Sequence, residues 1–140
     1  MAQDIFSLTK AVAAVTPRRL TDDTVVTGAT IDRSGFDSLE FVIATGTLAD
    51  AGASFAVTVE HDNDSAMGIA SNPAASELVG TPAGASFTEA SDGVIRRIGY
   101  IGDKRYVRIK ITPTGNASSA DVAAVAILGH PRLLPQTSQS

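Results

Sequence analysis

Apolar and polar residues alternate in several short runs of this chain, and turn residues separate the runs. The clearest run is Ser38 to Leu48, where Leu39, Phe41 and Ile43 occupy every second position. A period of two is typical of a strand that buries one face. The pattern predicts six strands, which span residues 24–33, 38–48, 54–60, 94–101, 104–112 and 121–128.

Two connections between these strands are short enough to predict hairpins. Residues 49–53 join the second and third predicted strands, which we expect to pair antiparallel. Gly102-Asp103 joins the fourth and fifth, and a glycine-first pair suits a type II′ turn. We therefore expect strands 94–101 and 104–112 to be neighbours in one sheet.

Residues 62–92 do not fit the alternating pattern. They contain Asn72-Pro73, Gly80-Thr81-Pro82 and many Ala and Ser residues. We expect one long irregular connection with one or two short helical turns.

The predicted domain organisation has three parts. Residues 1–20 form either an edge strand or an N-terminal arm, residues 21–134 form the β-sandwich domain, and residues 135–140 form a disordered tail.

Composition supports an all-β fold. Val and Ile number 22 against 8 Leu, and β-branched residues favour strands. With 140 residues there is room for one domain. We predict a two-sheet antiparallel sandwich, jelly-roll-like, with one long irregular connection. An immunoglobulin-type sandwich is the nearest alternative, but the chain has no Trp and no Cys. The predicted core consists of Phe41, Ile43, Phe55, Val57, Val59, Ile98, Val107, Ile109, Val125 and Ile127.

Residues suited to catalysis or metal binding are few. The segment Glu60 to Asp64 holds four metal-capable side chains, but strand alternation puts Glu60 and His61 on opposite faces. The calcium-loop pattern also fails, because Gly68 and Glu77 stand at the wrong offsets from Asp62. His130, at a strand exit, suits a local hydrogen bond. No nucleophile–base motif or phosphate-binding loop is found, so we predict no enzyme activity, metal or cofactor.

Charge is distributed unevenly along the chain, whose net charge is −4. Nine acids and no bases lie between Arg33 and Arg96, whereas residues 96–110 hold six bases and one acid. The net charge argues against nucleic-acid and anionic-membrane partners. Two tyrosines in the basic segment are too few for a base-stacking platform. The longest apolar stretch, residues 122–128, is far shorter than the roughly 20 residues of a membrane helix, and the N-terminus lacks a signal-peptide pattern.

The predicted hairpin would concentrate positive charge on one face. It places Arg97 opposite Arg108, with Lys104 and Lys110 on the same face and Tyr106 opposite Gly99. Like charges opposite each other destabilise a sheet, so this face needs acids from the middle of the chain or from another chain. We predict an interface formed by the hairpin and the N-terminus, with the residues Arg97, Lys104, Tyr106, Arg108, Lys110, Ile5, Phe6 and Leu8.

Four stretches of the chain carry a family resemblance, and together they span roughly residues 34–131. Ser34 to Leu48, Val57 to Ser65, Arg97 to Arg108 and Ala123 to Pro131 resemble small proteins encoded beside the major capsid protein of tailed phages. The plan is similar to that of the jelly-roll cement, or decoration, proteins of icosahedral phage heads.

The resemblance implies a non-enzymatic virion protein on the outer capsid surface that ties neighbouring capsomers together. Its implied partners are the major capsid protein and itself, as a homo-oligomer. A glycan-binding jelly-roll module and a neck or tail component of the virion remain alternatives.

Overall fold

The computed structural model describes residues 4–132, which fold mainly into short and medium-length strands. The strands are β1 (Lys10–Leu20), β2 (Val26–Thr27), β3 (Ile31–Asp32), β4 (Phe36–Leu48), β5 (Ser54–Asp62), β6 (Leu78–Val79), β7 (Phe87–Thr88), β8 (Ile95–Tyr100), β9 (Tyr106–Thr114) and β10 (Ala120–Pro131). The helical turns are α1 (Ile5–Leu8), α2 (Pro82–Ala85) and a 3-10 turn (Ala75–Glu77).

The strands form two antiparallel sheets, which confirms the predicted all-β sandwich. Sheet A has the order β1-β10-β4-β8-β6, and sheet B has the order β2-β9-β5-β7, with β3 also beside β9. If β2 and β3 are counted as one broken strand, every strand lies in the opposite sheet from the strand before it. This alternation between two sheets is the plan of a jelly roll.

The alternation also makes both predicted hairpins wrong. β4 pairs with β10 and β8, whereas β5 pairs with β9 and β7. β8 and β9 likewise belong to different sheets, so residues 101–105 cross from one sheet to the other. Packed sheets lie about 10 Å apart, and an extended chain covers about 3.3 Å per residue. A connection of a few residues therefore reaches the other sheet as easily as it turns back within its own.

The inner faces of the two sheets form one core. Phe41, Ile43 and Ile98 from sheet A and Phe55 and Ile109 from sheet B are each at most 1% exposed. The rings of Phe55 and Phe87 stack with centroids 5.0 Å apart.

The core prediction is wrong at two positions of β10. Val125 is 40% exposed and Ile127 is half-buried, whereas Ala124, Ala126 and Leu128 are buried. Because β10 is apolar at every position from Val122 to Leu128, its sequence pattern does not show which alternate set points inward.

The chain between β5 and β8 contains the expected helical turns. The 3-10 turn and α2 lie there, together with the two-residue strands β6 and β7. Thr81 caps α2, since its hydroxyl accepts a hydrogen bond from the Gly84 N–H at 2.9 Å. The long irregular connection is thus attached to sheet A through β6 and to sheet B through β7.

The N-terminal segment is an edge strand in its own sheet over residues 10–20. β1 pairs with β10 from Lys10–Leu128 to Leu20–Ala120, with register shifts on either side of Val15. Pro17 lies in the second irregular part, where an edge strand tolerates a residue without an N–H. The tail predicted for residues 135–140 lies outside the described residues.

Gly28 explains why the predicted strand 24–33 is broken in two. Its N–H donates to the Ile109 carbonyl of sheet B at 2.8 Å, and the next N–H, of Ala29, donates to the Ala14 carbonyl of sheet A at 2.8 Å. A Cβ atom at residue 28 would lie 2.8 Å from the Ile109 oxygen and 3.0 Å from the Ala14 oxygen. Only glycine fits between these backbones, and its position closes one side of the sandwich.

Across residues 4–132, the helices are too short or too polar to cross a membrane.

Candidate interaction surfaces

Three of the four basic residues of the predicted interface lie on two opposite surfaces of the sandwich. Arg97 projects from the outer face of sheet A, whereas Arg108 and Lys110 project from the outer face of sheet B. The predicted opposition of Arg97 and Arg108 is therefore wrong, because β8 and β9 are not neighbours. The two positive groups do not repel each other across a hairpin.

Acids from the middle of the chain neutralise these bases. Glu40 in β4 lies 3.2 Å from Arg97, and Glu60 in β5 lies 2.8 Å from Arg108 and 3.9 Å from Lys110. Of the two sources of negative charge that the sequence left open, the chain itself supplies these partners. The Arg97 side chain nevertheless remains 68% exposed, whereas the Arg108 side chain is 22% exposed.

Tyr106 and Lys104 lie at the end of the sandwich where the chain crosses between sheets. The Arg105 guanidinium is 5.1 Å from the centre of the Tyr106 ring and bonds Asp32 with two contacts of 2.9 Å. The hydrogen bonds from Arg105 lower the pKa of the Asp32 carboxyl. Lys104 is bound through its backbone, as its N–H donates to the Tyr100 hydroxyl at 3.0 Å. These residues stabilise the crossing.

The apolar N-terminal residues of the predicted interface lie on α1. Ile5 and Phe6 are 77% and 65% exposed, and Leu8 is half-buried. Asp4 caps this turn, since its carboxylate accepts a hydrogen bond from the Ser7 N–H at 2.7 Å, and that bond lowers the pKa of Asp4. α1 therefore presents a small apolar projection near the end of β10.

The outer face of sheet B is polar. Lys110 has Thr27 and Thr58 as its cross-strand neighbours, and Arg108 lies opposite Glu60. Charged and hydroxyl side chains of this kind are typical of a solvated sheet face.

The outer face of sheet A is mostly apolar instead, with the Arg97–Glu40 ion pair within it. One row across the sheet contains Ala13, Val125, Val42 and Arg97, and the next contains Ala11, Ile127, Glu40 and Gly99. Ile95 and Val79 extend the face and are 58% and 57% exposed. Sequence reasoning missed this surface because Val125 and Ile127 had been assigned to the core. The feature of the sequence that indicates this surface is β10, which has apolar residues on both of its faces.

A groove of about 680 Å³ lies on this face. Gly99 and Gly129, which carry no side chain, line it together with Ile127 and Val79. Tyr100 is the one Phe, Tyr or Trp residue among the lining residues, and it is fully buried. Sugar rings are commonly held by stacking on exposed aromatic faces, so this lining suits a protein surface better than a glycan.

His61, the histidine of the candidate metal segment, is 6% exposed and lies inside the sandwich. Its Nδ1 is 2.8 Å from the hydroxyl of Tyr100, and the Arg33 guanidinium lies 5.4 Å from the centre of the Tyr100 ring. Burial raises the pKa of the Tyr100 hydroxyl, which keeps it protonated. In the part of the chain that the structure describes, His, Asp and Glu side chains do not gather in groups of three that could hold a metal.

His130 makes the local hydrogen bond expected from its position at the end of β10. Its Nδ1 lies 2.7 Å from the Ser38 hydroxyl of the neighbouring strand β4.

Comparison with known proteins supports the fold class. No protein-family model matches the chain, and no curated protein sequence matches it. Among solved structures, the PBSX exported protein XepA matches over 100% of this chain, with a TM-score of 0.59 and 12% identity. The match covers 43% of XepA, so this chain spans less than half of that protein's length. At this identity the likeness shows a shared two-sheet fold.

Two further solved structures match less well. An infectious bursal disease virus structure, of the Gx strain, matches 91% of this chain and 34% of its own, with a TM-score of 0.49 and 13% identity. The Clostridium thermocellum xylanase 10B CBM22-1–GH10 modules match 95% of this chain and 28% of theirs, with a TM-score of 0.42 and 11% identity. These scores are too low to support an inference.

Proposed function

We propose that this chain is a non-enzymatic virion structural protein, a cement or decoration protein that binds the outer surface of an icosahedral phage head and stabilises contacts between capsomers. Its partners are then the major capsid protein and further copies of itself, and its location is the virion after synthesis in the host cytoplasm. The sequence resemblance over residues 34–131 supports this proposal, and the jelly-roll order of the strands agrees with it.

The observation that carries the proposal is the difference between the two outer faces of the sandwich. Sheet B presents Thr, Lys, Arg and Glu side chains, whereas sheet A exposes Val79 and Ile95 beside a groove and Val125 elsewhere on the same face. An extended exposed apolar surface on a small domain marks a site of protein contact. A protein built to join other proteins needs such a surface.

Copy number on purified particles tests the proposal. The chain is expressed together with its proposed partner, the major capsid protein, and the assembled heads are purified by sedimentation. A cement protein is expected in a fixed ratio to the capsid protein and visible on the outer surface by electron microscopy. A few copies per particle would instead indicate a neck or tail component, and absence from the particles would contradict a virion role.

The N-terminal part of the predicted interface has its own test. The double variant Ile5→Ser, Phe6→Ser is expected to reduce attachment to heads without changing stability, because both side chains are mostly exposed. Ile69→Ser is the matched control, since Ile69 is 84% exposed on the connection between β5 and β6. If the double variant and the Ile69→Ser control attach equally well, α1 is not part of the interface.

A further inference from the structure

The outer face of sheet A has the composition of a surface on which another sheet can pack. Ala11 and Ala13 in β1, Ala44 in β4 and Ala123 in β10 share this face with Val42 and Val125. Sheets pack face to face at about 10 Å when their facing side chains are small or medium-sized and apolar. The face lies on the outside of the sandwich, with Val125 40% exposed.

The charges on this face are arranged to match the same face of a second copy. Arg97 in β8 and Glu40 in β4 are diagonal neighbours near its middle, and they leave it with no net charge there. Both side chains keep solvent contact, 68% for Arg97 and 35% for Glu40. The region around this pair carries one charge of each sign, and such a region is its own electrostatic complement under a two-fold rotation. The Arg19–Asp121 ion pair, elsewhere on sheet A, adds no net charge.

We propose that two copies of this chain dimerise through the outer faces of their A sheets. The two-fold axis lies midway between the two faces and parallel to them. Seen from above the face, it is the perpendicular bisector of the line from Glu40 to Arg97. Each Arg97 then lies over Glu40 of the second copy, so four charges alternate in sign at the centre. This proposal rests on the self-association part of the proposed function and is independent of attachment to a capsid.

The same rotation fills the groove. Strands lie about 4.8 Å apart, and every second residue of a strand advances about 6.8 Å. On a grid of this spacing, set by the strand pairing, the rotation carries Ile95 of the second copy over Ile127 and Gly129. Ile95 is 58% exposed, and Ile127 and Gly129 both line the groove. The same two-fold rotation therefore pairs Arg97 with Glu40 of the second copy and also places the exposed Ile95 side chain over the groove.

Complementary charge reversal tests this geometry. Sedimentation velocity of the wild-type chain is expected to show a dimer. Glu40→Arg gives a face with two positive charges and Arg97→Glu gives a face with two negative charges, so each variant alone is expected to dimerise about a hundredfold more weakly. An equal mixture of the two variants is expected to recover dimers, because a positive face then meets a negative one.

The outer face of sheet B provides the matched controls. Glu60→Arg and Arg108→Glu reverse an ion pair of 2.8 Å on that face and are expected to leave the dimer intact. Val125→Ser tests the apolar part of the contact without changing charge, and it is expected to weaken the dimer. The thermal unfolding midpoint of each variant verifies that it is folded.

Three results would overturn the proposal: a wild-type chain that stays monomeric, a mixture that does not recover dimers, or dimers that respond to the sheet B controls instead. A monomeric chain whose attachment to heads is lost in Glu40→Arg would assign the face to the capsid protein, leaving the proposed function intact. A dimer that responds as expected but does not attach to heads would support this inference and contradict the cement role.

Discussion

The hydroxyl of Tyr100 lies 2.8 Å from Nδ1 of His61, and the two residues belong to different sheets. Tyr100 is fully buried in β8, and His61 is 6% exposed in β5. The same hydroxyl accepts a hydrogen bond from the N–H of Lys104 at 3.0 Å. This small network joins both sheets and the crossing connection at one end of the sandwich.

Removing the Tyr100 hydroxyl is expected to destabilise the fold. In Tyr100→Phe the ring still fills its place in the core, but the His61 Nδ1 and the Lys104 N–H lose their partner. A buried polar group left unsatisfied costs about 1–3 kcal/mol. The free energy of unfolding, measured by urea denaturation, should fall by that amount.

Tyr106→Phe is the control for this measurement. Tyr106 is half-exposed on sheet B, and Phe keeps the ring that lies beneath the Arg105 guanidinium. Its unfolding free energy should match that of the wild type. A Tyr100→Phe protein as stable as this control would mean that the inter-sheet hydrogen bond contributes nothing.

Gly28→Ala is expected to destabilise the closed side of the sandwich. The new Cβ atom would lie within 3.0 Å of the carbonyl oxygens of Ile109 and Ala14, and backbone atoms cannot rotate away. Overpacking of this kind costs about 1–3 kcal/mol. Gly129→Ala is the comparison, because the nearest atom there is the Ser38 hydroxyl at 3.3 Å, which can shift. Thermal unfolding should separate the two variants, and equal midpoints would contradict the close approach.

Alternation in the sequence located the strands but not their partners. Phe41, Phe55 and Ile98 are buried as predicted. Each of their strands carries a polar or charged residue on the opposite face, namely Glu40, Thr58 and Arg97, which fixes the side that points inward. Pairing depends on which sheet edge a connection reaches, and Gly102-Asp103 is chemically suited to a tight turn whether or not the chain turns there. Local turn chemistry therefore predicted a hairpin where the jelly roll has a crossing.

The candidate interface changed for the same reason. Once β8 and β9 are in different sheets, Arg97 and Arg108 no longer share a face, and Glu40 and Glu60 become their neighbours. The apolar face of sheet A arises because Ala124 and Ala126 of β10 point into the core, which leaves Val125 and Ile127 on the outer face. β10 lies between β1 and β4 in sheet A, and Val122, Ala124, Ala126 and Leu128 are its buried apolar side chains in this part of the strand.

Two N-terminal truncations test separately how much α1 and β1 contribute to stability. Deletion of residues 1–8 removes a turn in which no side chain is fully buried, so stability should change by no more than about 0.5 kcal/mol. Deletion of residues 1–15 also removes Ala14 and Val15, which are 2% and 3% exposed, and uncovers the edge of β10. Loss of Val15 alone costs at least about 1.5 kcal/mol.

Thermal unfolding of the two truncated chains checks this difference. A chain without residues 1–15 that kept the wild-type midpoint would contradict the place of β1 in sheet A. It would favour instead the alternative that this segment is an arm.

Acid should weaken the loop that follows β5, through Asp62. This carboxylate is 6% exposed and accepts hydrogen bonds from the Ile69 N–H at 2.9 Å and the Asp64 N–H at 3.1 Å. Burial acts to raise the pKa of Asp62, but the backbone N–H groups of Ile69, Asp64 and Asn63 outweigh it, with the charge of Lys104 adding to them, and the pKa is lowered. Folding therefore favours the ionised form.

The sign of the pH dependence follows from that lowered pKa. The stabilisation by Asp62 is complete above the ordinary aspartate pKa of about 3.9 and is lost as the pH falls through the lower pKa of the folded state. Asp62→Asn cannot supply the same two acceptor oxygens, so the variant should melt below the wild type at pH 7. The gap between the two midpoints should narrow as the pH falls below about 3.9, because the wild-type carboxyl is then protonated as well. Asp103→Asn, at an exposed position in the crossing connection, should show no such change in the gap. A gap for Asp62→Asn that stays constant from pH 7 into this acid range would show that the loop does not depend on the charge of Asp62.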